Sequence, residues 1–177
     1  MENLPNSLRH LNLLQPEAAE SEFLKCCGSK EWARQMSRQL PFRGERDLLE
    51  TAEQVWWSLA PEDWLEAFRS HPKIGEQKAA TQASATSLSW SRTEQKGVAS
   101  ASARTMELLQ QLNQRYEQKF GFIYIVCATG KSSEELVKIL QERLANEPET
   151  ELRIAAAEQA LITQLRLIKL LTSWEQA

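Results

Sequence analysis

Proline and glycine stand where helices begin and end along most of this chain. Pro16, Pro61 and Pro148 each open a stretch of helix-forming residues, a place where proline is favoured. Gly28 and Gly121 follow such stretches, where a helix commonly ends. Apolar residues recur every three or four positions between these boundaries. The pattern predicts helices over Pro5–Leu14, Pro16–Cys27, Lys30–Gln39, Asp47–Leu59, Pro61 to Ser70 or His71, Ser91–Lys119, Ser132 or Ser133 to Asn146, and Pro148–Trp174.

Two stretches depart from the helical pattern. Residues Glu76–Arg92 are rich in Gln, Ala, Ser and Thr, and we predict a long loop there with at most a weak turn of helix. Residues Phe122–Ala128 are β-branched and aromatic, which favours a strand. Because the sequence offers no second strand, we predict an extended or helix-leading buried segment instead. The chain shows no repeat and no linker, so residues 1–177 are predicted to form a single all-α domain.

Composition excludes several classes of protein. A net charge of −3 gives no basic surface for nucleic acid or an anionic membrane. Three cysteines, of which Cys26 and Cys27 are adjacent, do not resemble a disulfide framework. The residues after Met1 lack the pattern of a signal peptide, so a cytoplasmic location is expected. Two histidines are too few for a multi-histidine metal site, and the cysteines lack the spacing of zinc ligands, so no metal is expected.

His71 is the first candidate for chemistry. It precedes Pro72, which disfavours helical geometry and places His71 at the end of the fifth predicted helix. The partial negative charge of a helix C-terminus favours an imidazolium there, so His71 could act as an acid near neutral pH. A histidine that merely caps the last carbonyl groups of the helix fits the same position.

Glu94 is the second candidate. Ser91-Arg92-Thr93-Glu94 has the spacing of a capping box, in which the serine and glutamate satisfy backbone donors at a helix start. That role is structural, but a carboxylate held in a first helical turn is also oriented for a ligand. Gln95 adds a donor and an acceptor beside it.

Arg166 is the third candidate because it interrupts an apolar stripe. Ile162, Leu165, Leu167 and Leu170 surround it on a helix. A guanidinium in such a stripe must extend to water, pair with a buried acid, or face an anionic ligand. The residues alone leave these alternatives open.

Several motifs together resemble one enzyme family. Ser70-His71-Pro72-Lys73-Ile74-Gly75 resembles the HPxIG signature of the 2-oxo-4-hydroxy-4-carboxy-5-ureidoimidazoline (OHCU) decarboxylases, which form (S)-allantoin at the end of urate degradation. The resemblance runs from about Leu8 to Leu170 in the right order. Its other parts are Trp32-Ala33 with Pro41-Phe42, Ser91 to Gln95 (SxxEQ), Asn113 to Phe122 (NxxYxxKFGF), Arg143 with Asn146 and Glu151, and Arg166-Leu167.

The resemblance implies a fold, a reaction and a site. It implies a compact all-helical homodimer that decarboxylates OHCU without a cofactor. By the same resemblance, His71 handles a proton, and Glu94 and Arg166 are its catalytic companions. The resemblance also implies a substrate pocket lined by Pro72, Ser91, Arg92, Thr93, Glu94, Gln95, Tyr124, Ile125, Val126, Cys127 and Ala128.

A protein of another class also fits the local patterns. It is a catalytically silent helical interaction module, in which the helix-end histidine and the capping box are purely structural. The enzyme predicts that His71, Glu94 and Arg166 converge on one pocket, whereas the module predicts that they point apart.

Overall fold

A computed structural model describes residues 4–75, 84–98 and 101–175. Within these residues the chain is all-α, as predicted, and contains no strand. No described helix is both long enough and apolar enough to cross a bilayer. The described helices are α1 (Asn6–Leu13), α2 (Pro16–Cys27), α3 (Lys30–Ser37), α4 (Glu45–Ser58), α5 (Pro61–Arg69), α6 (Ala85–Glu94), α7 (Ala103–Phe120), α8 (Ser133–Arg143) and α9 (Pro148–Glu175), with a short 3₁₀ turn over Lys96–Val98 between α6 and α7.

Most predicted helix ends lie within two residues of the observed ones, because short-range rules decide them. Gly28 ends α2 with φ of +86° and Gly121 ends α7 with φ of +77°, the left-handed conformation that glycine adopts without strain. The Ser29 side chain accepts a hydrogen bond from the Trp32 amide and caps α3. Ser132 caps α8 in a complete capping box with Glu135.

The predicted helix over Ser91–Lys119 is wrong at its start. Residues 85–94 form the separate helix α6, capped by Ser84, and α7 begins only at Ala103 behind its own cap, Ser102. The predicted loop is wrong over the same residues, while its part at 76–83 lies outside the described residues. Ser, Thr and Ala tolerate a helix once its first turn is capped, but they leave no apolar period to reveal it.

The helices pack into two compact units. The first comprises residues up to Ala67 together with those from Ala160 onward. Its core is rich in aromatic rings, and Phe23 packs edge-on against Trp32 and Phe42. The Trp32 indole donates to the Ala52 carbonyl over 3.1 Å, so its buried polar atom is satisfied.

The second unit comprises Phe68–Gln159. Its core forms between α7, α8 and the segment that joins them. That segment, residues 124–128, is buried and has neither helical nor strand structure, which confirms the prediction for this apolar run. Core side chains come from Ile74, Leu109, Leu112, Tyr116, Tyr124, Val126, Ala128, Leu136, Val137 and Leu140.

Candidate active site

His71 lies in the turn that follows α5, as the sequence predicts. Its amide donates to the Phe68 carbonyl over 3.1 Å, which closes the last turn of the helix. His71 and Pro72 are both half-buried, and the Nε2 atom of the His71 imidazole is itself buried. A side chain in this position can reach a bound molecule.

Hydrogen bonds fix the turn against α7. The Asn113 amide donates to the Ile74 carbonyl over 3.0 Å, and the Lys73 ammonium pairs with Glu117 at 2.7 Å. Gly75 has φ of +81°, and a Cβ there would lie 3.2 Å from the Met106 methyl group. The turn carrying His71 therefore has a defined conformation rather than that of a loose surface loop.

The segment Ser91–Gln95 closes α6 rather than opening a helix. The predicted capping box is wrong, because Ser84 caps this helix and Glu94 is its last residue. Glu94 is nevertheless buried, at 9% exposure, and Ser91 is buried too. The side chains of Arg92 and Thr93 are exposed.

Gln95 joins this helix end to the histidine turn. Its side-chain oxygen accepts a hydrogen bond from the Gly75 amide over 3.4 Å. Since Gly75 closes the turn that begins at His71, the predicted SxxEQ and HPxIG motifs meet within one unit. The sequence places them about 20 residues apart and cannot show this contact.

A third segment lies against the same helix end. A Cβ on Gly97 would collide with the carbonyl oxygen of Lys131, so the 3₁₀ turn packs directly on the backbone after residues 124–128. The Glu94 charge also acts on Cys127. Two of the predicted pocket-lining segments, 91–95 and 124–128, are therefore neighbours.

The segment 124–128 is held by charged side chains. Arg143 donates to the Ile125 carbonyl over 2.7 Å, and the Cys127 amide donates to the Glu158 carboxylate over 2.7 Å. Lys131 donates to the Cys127 carbonyl over 2.6 Å. Sequence reasoning missed Glu158 and Lys131 as neighbours of the candidate site, because neither belongs to a recognisable motif.

Cys127 is not suited to act as a nucleophile. Burial raises the pKa of its thiol, and the charges of Glu158 and Glu94 raise that pKa further. The thiol therefore stays protonated near neutral pH, where only a thiolate would react.

Behind this segment lies a buried network formed by motif residues. The Glu151 carboxylate accepts hydrogen bonds from the Arg143 guanidinium at 2.7 Å, from the Asn146 amide at 2.7 Å and from the Tyr116 hydroxyl. Burial is the largest single influence on Arg143 and opposes its charge, but the hydrogen bond that it donates to Glu151 and the nearby Glu151, Tyr116 and Tyr124 together outweigh burial and raise the pKa of Arg143. Arg143 also lies over the Tyr124 ring at 5.0 Å.

Arg166 belongs to the first unit, on α9, and is 1% exposed. Its guanidinium does not extend to bulk water, so the snorkelling alternative is wrong. The Arg166 charge acts on the thiols of Cys26 and Cys27. Burial dominates at both thiols and raises the pKa of Cys27 to about 12. Arg166 is therefore a deeply buried cation, a costly arrangement unless other groups compensate it.

No group of three His, Cys, Asp or Glu side chains suited to a metal ion occurs in residues 4–75, 84–98 and 101–175. The groups on these adjoining segments are instead the Glu94 carboxylate, whose charge acts on Cys127, the Gln95 amide, which contacts Gly75, and main-chain groups. Together with a half-buried imidazole in the adjoining turn, they can orient a polar ligand and exchange a proton with it.

Comparisons with known proteins identify the family of the chain. The sequence profile of the OHCU decarboxylase family matches residues 12–168. The uric acid degradation bifunctional protein TTL of Arabidopsis thaliana is 39% identical over 87% of this chain, and the match covers 48% of that protein, about half its length. The 2-oxo-4-hydroxy-4-carboxy-5-ureidoimidazoline decarboxylase of Haloferax volcanii is 24% identical over 94% of this chain and 97% of its own.

The fold agrees with that of a solved structure. A crystal structure of an OHCU decarboxylase in the presence of (S)-allantoin superposes with a TM-score of 0.74 and 39% identity. The superposition covers 85% of this chain and 97% of the other. A crystal structure of an (S)-allantoin synthase has the same fold, with a TM-score of 0.68 at 15% identity.

Proposed function

The chain belongs to the OHCU decarboxylase family, and we propose that it decarboxylates OHCU to (S)-allantoin in urate degradation. One observation carries the proposal: the family profile matches residues 12–168, and within that range the His71 turn, the Glu94 helix end and the buried segment 124–128 adjoin in one unit. The alternative of a silent interaction module is not favoured, because the chain matches the family profile and relatives that are decarboxylases.

The proposed reaction needs little from the protein beyond binding, charge and a proton. The bond between the ring and the carboxylate carbon breaks, carbon dioxide leaves, and the electron pair passes into the unsaturated ring. A proton then arrives on one face of the ring and sets the (S) configuration. Because the ring accepts the electrons, no separate electron sink is required, and we propose that no cofactor takes part.

We assign the proton to His71, which lies half-buried at a helix end. Glu94 and Arg166 are assigned to orienting the ureido and carboxylate groups. The burial of Glu94 at 9% and Arg166 at 1% exposure supports this assignment, since charges in a poorly solvated place act strongly on a ligand. A guanidinium can also hold a carboxylate with two parallel hydrogen bonds.

The substrate pocket is proposed to be lined by Pro72, by Ser91 to Gln95 and by Tyr124 to Ala128. Residues 1–177 are proposed to act as one domain in a cytoplasmic homodimer. Support for the pocket comes from two contacts beside these segments: Gly75, in the turn that contains Pro72, donates to Gln95, and Gly97 packs on the Lys131 carbonyl that follows residues 124–128.

The test is to supply freshly generated OHCU and follow its disappearance. The protein should accelerate the loss of OHCU well above the spontaneous rate and release one carbon dioxide for each OHCU consumed. The rate should survive exhaustive treatment with a chelator. A rate equal to the spontaneous one, or a rate that returns only on adding a divalent ion, would contradict the proposal.

A further inference from the structure

Residues 124–128 are buried, yet no strand pairs with them among the described residues. Buried backbone N–H and C=O groups need hydrogen-bond partners, which a neighbouring strand would normally supply. Here three charged side chains supply them: Arg143 at the Ile125 carbonyl, Glu158 at the Cys127 amide and Lys131 at the Cys127 carbonyl.

These three contacts are short and directional. Their lengths of 2.6–2.7 Å are those of hydrogen bonds in which one partner is ionised, the stronger class. Arg143 is 6% exposed, and the fully buried Glu151 holds its guanidinium in turn. The Ile125 carbonyl is therefore held by a side chain that is itself buried and held in place.

The contacts decide where the remaining polar groups of the segment point. A trans peptide directs its C=O and N–H in opposite directions. Since the Ile125 carbonyl points at Arg143, the Val126 amide points away from Arg143. By the same geometry the Val126 carbonyl points away from Glu158, and the Ala128 amide points away from Lys131. Each of the three side chains thus holds one peptide group and sets the direction of the polar group on the other side of that peptide.

We propose that Glu158 is a positioning residue for the reaction, acting with Arg143 and Lys131 in place of a partner strand. It holds the Cys127 peptide so that the opposite side of the segment keeps one fixed pattern of donors and acceptors for the substrate. The inference rests on the proposed function, in which this segment lines the pocket. Glu158 itself does not touch the substrate and exchanges no proton with it.

The test compares Glu158→Ala with Glu158→Gln. The alanine variant removes the acceptor for the Cys127 amide, whereas the glutamine variant keeps an oxygen acceptor at the same reach. We expect Glu158→Ala to raise KM about tenfold with a smaller change in kcat, and Glu158→Gln to recover most of the loss. Glu149→Ala removes an exposed carboxylate from the same helix and should leave both constants unchanged.

Amide hydrogen exchange at Cys127 provides a second readout that needs no substrate. Exchange should be faster in Glu158→Ala and close to wild type in Glu158→Gln. Wild-type KM in a folded Glu158→Ala variant would overturn the proposal. It would also be overturned by unchanged Cys127 exchange, or by a glutamine variant as impaired as the alanine one. Inactive wild-type protein would contradict the proposed function, while the exchange data would still report whether Glu158 holds the peptide.

Discussion

At the scale of single residues, His71 is the least buried of the three proposed catalytic residues. It closes α5 through its own amide, and its side chain is half-buried in a turn anchored to α7. Replacing it with asparagine should cost no more than about 1–2 kcal/mol of stability, as is usual at a helix end. Decarboxylation should fall by about two orders of magnitude or more, the effect of removing a general acid. Melting curves and turnover on one preparation check both, and near-normal turnover would remove His71 from the mechanism.

Substitutions of Arg166 distinguish a structural role of this residue from a functional one. Because it is 1% exposed, its guanidinium is not there to reach water. Arg166→Lys keeps the charge but loses the planar fork that matches a carboxylate. We expect this variant to melt within a few degrees of wild type and to lose most of its decarboxylase activity.

Arg166→Met is the control for the positive charge, since it removes the charge that Arg166→Lys keeps. It should be as inactive as the lysine variant, because neither side chain has the planar guanidinium fork. Full activity in Arg166→Lys would leave the site to His71 and Glu94.

The buried thiol of Cys27 should make the free energy of unfolding depend on pH in the alkaline range. Burial raises its pKa from 9.0 to about 12, so the folded state keeps a proton that the unfolded state loses first. The free energy of unfolding should therefore fall as pH rises from about 9 towards 12, by up to about 1.4 kcal/mol per pH unit from this thiol. Urea unfolding at several pH values measures the slope. Cys27→Ala should show a shallower decline, and an identical slope would contradict the assignment.

At the scale of elements, the sequence predicts what local chemistry decides. The ends of α2 and α7 at Gly28 and Gly121 follow from backbone preference alone, and both are confirmed. The residues of α6 carry no apolar period, so the sequence does not indicate this helix and Glu94 looks like part of a helix start, whereas it ends α6. Contacts such as that of Arg143 with Ile125 join residues far apart in the chain, and no periodicity reveals them.

A substitution at Gly97 tests how closely the 3₁₀ turn packs beside the candidate site. A methyl group there would collide with the Lys131 carbonyl, and backbone cannot yield as a flexible side chain does. Gly97→Ala should lower stability by about 1–3 kcal/mol and reduce activity as well. Gly44→Ala is the control, since its backbone is extended and nothing lies within 4 Å of the added Cβ. Equal melting temperatures for the two variants would contradict this packing.

At the scale of the whole molecule, the fold class and the family were predictable from the sequence, because they depend on motif order along the chain. The family profile covers residues 12–168, close to the range of the sequence resemblance. The charged side chains that hold residues 124–128 were not predictable, because they come from separate parts of the chain. In the proposed reaction, His71 delivers a proton to one face of a substrate that the neighbouring segments hold.

The configuration of the product tests that claim most directly. OHCU decays spontaneously to racemic allantoin, so any excess of one enantiomer must come from the protein. Freshly generated OHCU should give predominantly (S)-allantoin with the wild-type chain, as measured by chiral chromatography or circular dichroism. The His71→Asn variant should give racemate at about the spontaneous rate. Racemic allantoin from the wild-type chain would contradict the account.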